Sequence, residues 1–95
     1  MAKRFEWNED KNKLLKIYRN ISFEDVIKAL ESGRQLNIED QHNKKKYGNQ
    51  KIFIVEIGNY AYIVPFIEDE EKVFLKTIYP SRKATKKYIK NEKIN

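Results

Sequence analysis

The chain opens on a two-residue period. Arg4 to Trp7 alternates polar and aromatic residues and reads as a short first strand. The period then lengthens. Asn8 stands where a helix N-cap would, and Glu9 and Asp10 suit the positive end of a helix dipole. Leu14, Ile17 and Tyr18 follow at i, i+3 and i+4, which predicts an amphipathic helix over 9–19 with those three on its apolar stripe. A second helix has a stronger start signal. Ser22 and Asp25 form a capping-box pattern, and Ile21 can staple onto Val26. Phe23, Val26, Ile27 and Leu30 share one stripe, and Gly33 is a natural stop.

Beyond Gly33 the short period returns. Leu36 and Ile38 alternate with polar neighbours, which predicts a half-exposed strand over 34–39, followed by a polar loop to Gln50. Lys51–Ile57 and Tyr60–Ile67 flank Gly58-Asn59, a two-residue hairpin signal. Pro65 directs its strand toward an edge or a bulge. Glu68–Glu71 is an acidic turn, and Lys72–Tyr79 reads as one strand with Val73, Leu75, Thr77 and Tyr79 on one face. Pro80 ends it. Ser81 caps a last helix over roughly 82–91, with Ala84 and Tyr88 inward and Arg82, Lys83, Lys86, Lys87 and Lys90 covering the remainder. The order β-α-α-β-β-β-β-α predicts an α+β fold, an antiparallel sheet of about four strands packed against helices. One domain, 1–95, accounts for the chain, with 91–95 as a loose tail.

Composition narrows the function classes. At 95 residues and 11.5 kDa there is room for one small domain, and 40% hydrophobic residues can fill its core. The longest apolar stretch is Tyr60–Ile67, whereas a membrane helix takes about 18 or more residues. The first residues lack the apolar region of a signal peptide, so a cytoplasmic protein with no membrane partner is expected. There is no cysteine and one histidine, which argues against a metal site; three glycines cannot supply a Gly-rich phosphate loop, so no cofactor is expected.

The net charge of +6 is unevenly placed. Residues 1–50 carry +3, residues 51–78 carry −2, and residues 79–95 carry +5. The excess lies in the Lys44-Lys45-Lys46 run and the final segment, which would attract a phosphate-bearing partner or serve only to keep the protein in solution.

Two stretches resemble a known family. Phe5-Glu6-Trp7-Asn8-Glu9-Asp10-Lys11-Asn12, then Ile21-Ser22-Phe23-Glu24-Asp25-Val26, resembles the opening of BrnT-like toxins, with their FEWD-x-x-K-N start and IS-F-E-x-A second helix. Ile78-Tyr79-Pro80-Ser81-Arg82-Lys83-Ala84 is similar to the family's ISAR-[RK]-A segment, although Pro80-Ser81 stands where Ser-Ala is common. The resemblance implies a RelE/ParE-like fold and the toxin role of a type II toxin–antitoxin system. That role is a metal-independent ribonuclease silenced by a cognate antitoxin, with operator DNA bound only through the antitoxin.

In such a reaction the RNA's own 2′-hydroxyl attacks the adjacent phosphate. The protein holds the phosphate, helps remove the 2′ proton, stabilises the added charge and protonates the leaving 5′ oxygen. Arg82 is the first candidate, because its planar fork suits bidentate phosphate contact at a helix start. Lys76 and Tyr79 lie just upstream, and His42 is the one side chain with an ordinary pKa near neutrality. Lys44, Lys45, Lys46, Lys83, Lys86 and Lys87 are the candidate RNA contacts. A noncatalytic RNA- or protein-binding module on the same fold is the competing reading. The apolar hairpin predicts an exposed patch that a homodimer or the antitoxin would bury.

Overall fold

A computed structural model describes residues 3–40 and 50–90. The elements are β1 (Arg4–Glu6), α1 (Glu9–Arg19), α2 (Phe23–Glu31), β2 (Gln35–Asp40), β3 (Lys51–Ile57), β4 (Tyr60–Glu68), β5 (Lys72–Leu75) and β6 (Tyr79–Pro80). They end in α3 (Arg82–Ala84), which continues as a π-helical segment, Thr85–Ile89. The α+β class holds, but the sheet is larger than expected and mixed. Six described strands run β1-β5-β4-β3-β2, with β6 also paired to β4, and β1 lies parallel to β5.

That parallel pair sets the layering. The chain leaves β1 at one edge, crosses one face through α1 and α2, and re-enters at the other edge as β2. Phe53, Val55, Val64, Phe66, Val73 and Leu75 point to this face and pack with Leu15, Ile21, Phe23, Val26 and Ala29. A smaller cluster on the opposite face joins Ile54, Ala61 and Ile63 to Ala84 of α3. The hairpin expected to be exposed is therefore core, because the sheet is covered on both sides.

The local signals act as the residue types dictate. The Asn8 side chain accepts from the Lys11 amide at 2.9 Å, and both halves of the Ser22–Asp25 capping box are formed. Gly58 and Asn59 both take positive φ, which gives the β3–β4 turn the twist that a two-residue hairpin requires.

Two further expectations are overturned. The stripe of α1 faces outward: Leu14, Ile17 and Tyr18 are 50%, 71% and 78% exposed, and the helix buries Asn12 and Leu15 instead. Asn12 sets this orientation. Its Oδ1 accepts from the Phe23 amide at 2.8 Å, its Nδ2 donates to Glu24 at 2.8 Å, and so it ties α1 to the first turn of α2. The second correction concerns residues 72–79, which form two strands. Pairing stops at Leu75 and resumes at Tyr79, so Ile78 becomes fully buried and Tyr79 turns outward.

The Asn12 side chain hydrogen-bonds the Glu24 carboxylate, which holds its pKa below the usual glutamate value. A carboxyl depressed in the folded state adds stability above its unfolded pKa, and that share is lost as pH falls through the folded pKa. Asn12→Ala leaves the Phe23 amide buried without an acceptor and is expected to cost about 2 kcal/mol in urea unfolding at neutral pH. The difference from the parent protein should narrow below pH 4.5, the ordinary glutamate value, as the Glu24 contribution disappears from the parent.

Candidate functional site

The last helical segment is positioned by hydrogen bonds to β4. Ser81 donates its amide to the Ala61 carbonyl at 3.0 Å, and the Ala61 amide donates to the Thr85 hydroxyl at 2.9 Å. That hydroxyl in turn donates to the Ser81 carbonyl at 2.8 Å. The Ser81 side chain caps the segment by accepting from the Ala84 amide at 3.0 Å. Thr85 is almost fully buried, and the Lys90 amide reaches back to its carbonyl at 3.0 Å, the five-residue span of a π-turn. The widened turn leaves Tyr88 over β2. Its hydroxyl accepts from the Asn37 side-chain Nδ2 at 2.7 Å and donates to Glu39 at 3.1 Å.

Between this segment and the sheet lies an open cleft of about 680 Å³. Ile52, Ile54 and Ile63 form its floor. Lys83, Lys87 and Ser81 line one side, while Glu39 and Asp40 line it from β2. Lys87 Nζ lies 5.2 Å from the centre of the Tyr88 ring, within cation–π range.

The predicted residues divide into three groups. Lys83 and Lys87 line the cleft. Arg82, Lys86, Tyr79 and Lys76 are exposed but do not line it. Arg82 lies at the first position of α3, Tyr79 belongs to β6, and Lys76 follows β5, its amide donating to the Pro65 carbonyl at 2.8 Å. His42, Lys44, Lys45 and Lys46 lie outside the described residues, as does the tail 91–95. The helix-start argument for Arg82 weakens, because α3 is only three residues long and Ser81 already serves the Ala84 amide.

Sequence reasoning missed the acidic wall and the tyrosine link. Asn37, Glu39 and Tyr88 come together across about fifty positions of sequence, and no local pattern announces such a contact. Among the described residues the ion pairs are Lys3–Glu68, Arg4–Glu6, Lys16–Glu24 and Lys72–Glu6, so none engages a cation of the last segment. No cluster of His, Asp and Glu that could hold a metal ion occurs among the described residues, and no described helix is long and apolar enough to cross a membrane.

No protein-family model, curated protein or solved structure matches the chain.

Thr85→Val keeps the shape of the side chain but removes the acceptor of the Ala61 amide. We expect it to cost about 1–3 kcal/mol in thermal or urea unfolding, the typical cost of a buried donor left unpaired. Thr85→Ser retains the hydroxyl and should lose distinctly less.

Proposed function

We propose that this chain is the toxin of a type II toxin–antitoxin system. It cleaves RNA without a metal, by attack of the substrate's 2′-hydroxyl, and a cognate antitoxin neutralises it. The observation supporting this reading is the last segment itself. Arg82, Lys83, Lys86 and Lys87 project from eight consecutive residues, and no described carboxylate pairs with any of them. Exposed, unpaired cations beside a cleft are what a phosphate backbone requires. The resemblance of residues 5–26 and 78–84 to the BrnT-like toxins supplies the reaction class.

In this reading Arg82 grips the scissile phosphate with its fork and stabilises the charge that develops as O2′ bonds to phosphorus. Lys83 and Lys87 hold the flanking backbone along the cleft, with the isoleucine floor receiving a base. The bond from phosphorus to O5′ breaks, and Tyr79 and Lys76 are the candidates to protonate that oxygen. His42 remains a candidate to take the 2′ proton.

One observation favours a second reading, a noncatalytic RNA- or protein-binding module. Glu39 and Asp40 line the same cleft as Lys83 and Lys87, and a carboxylate wall suits a protein partner better than a phosphate chain.

Induction of the chain alone separates the two. The toxin reading expects growth arrest with transcripts cut at discrete sites. Arg82→Ala should abolish both while leaving the circular dichroism spectrum unchanged; arrest that persists in this variant removes Arg82 from the reaction. RNA binding with neither arrest nor cleavage establishes the second reading.

A further inference from the structure

Leu14, Ile17 and Tyr18 are the three most exposed large hydrophobic residues described, and all lie on α1. Single exposed apolar residues are ordinary, but three on one side of an eleven-residue helix form a strip. The helix is not free to turn them inward. Asn12 is locked to Phe23 and Glu24, Leu15 is in the core, and the Arg19 guanidinium donates to the Ile78 carbonyl. Beside the strip runs a shallow groove lined by Lys11, Leu14, Tyr18, Arg19 and Thr77.

The charge around the strip selects its occupant. α1 carries four cations, Lys11, Lys13, Lys16 and Arg19, against Glu9 and Asp10 in its first turn. Glu9 already accepts from the Trp7 indole at 3.1 Å and Lys16 is paired with Glu24, which leaves Lys11, Lys13 and Arg19 against Asp10. A second copy of α1 laid on the strip would bring two largely basic helices together. An acidic helix would not meet that opposition.

We propose that the outer face of α1 is a docking surface for an acidic amphipathic helix of a partner protein. Leucine-type residues of that helix seat on Leu14, Ile17 and Tyr18, and its carboxylates meet Lys11, Lys13 and Arg19. The surface is on the helical face of the sheet, whereas α3 and the cleft are on the other face. A partner held here leaves the cleft open. The inference does not depend on RNA cleavage.

The test uses the full chain and a synthetic helical peptide with leucines at i, i+3, i+4 and i+7 flanked by glutamates. Fluorescence anisotropy should show binding that weakens with added salt. The triple variant Leu14→Ser, Ile17→Ser, Tyr18→Ser should weaken it about tenfold or more, with its circular dichroism spectrum unchanged because all three side chains are exposed. A peptide with lysines replacing the glutamates should not bind, and binding of a labelled RNA oligonucleotide should be unaffected by the acidic peptide. Equal binding of both peptides, or binding of neither, overturns the proposal. So does a dimer in sedimentation equilibrium that the triple variant dissociates, which would assign the face to a second copy. Binding to phosphatidylserine vesicles that the variant abolishes would assign it to a lipid surface and equally overturn the proposal.

Discussion

Every backbone polar group on the outer side of β4 has to find a partner, and the second half of the protein is arranged around that need. β4 is the most buried strand, with Ala61, Ile63, Val64, Pro65 and Phe66 all shielded from water. One side of it is paired with β3 from Tyr60 to Phe66. The other side presents residues 61, 63, 65 and 67, and no single strand serves them all. β5 pairs at Ile67, the Lys76 amide reaches Pro65, β6 pairs at Ile63, and Ser81 with Thr85 completes Ala61. An unpaired buried amide costs about 1–3 kcal/mol, so four separate devices are preferable to one gap.

Pro65 fits this scheme. Its carbonyl faces the stretch where β5 has ended and β6 has not begun, and its own N–H, which would point the same way, is absent. A proline within a central strand is tolerated because the missing donor coincides with the missing neighbour. The break also explains why Ile78, rather than Tyr79, is buried: leaving the strand at Leu75 shifts the alternation by one. Tyr79 is thereby delivered to the surface next to the cationic segment.

What could be read from the sequence follows the range of the interactions involved. The caps at Asn8 and Ser22 and the Gly58-Asn59 turn are satisfied within three or four residues, and the local pattern suffices for them. The outward face of α1 was not legible, because its cause is a buried asparagine whose partners belong to the next helix. A hydrophobic-period rule weighs Leu14, Ile17 and Tyr18 as core formers and counts Asn12 as surface. The π-turn was likewise hidden, since it depends on Thr85 meeting a backbone amide 24 positions away. At the candidate site the cations of residues 82–87 were visible in the sequence. The carboxylates of β2 across from them were not, because sheet register and a distant tyrosine bring them there.

The two faces of the sheet thus acquire different characters from one set of constraints. On one face, Asn12 fixes α1 so that its apolar strip is left uncovered and its basic residues surround it. On the other, Thr85 fixes a short segment whose cations pair with no described carboxylate and whose tyrosine bridges to an acidic strand. The overall charge of +6 hides this division. Asn12 and Thr85, two uncharged side chains that satisfy buried amides, hold in place the segments that carry these charges.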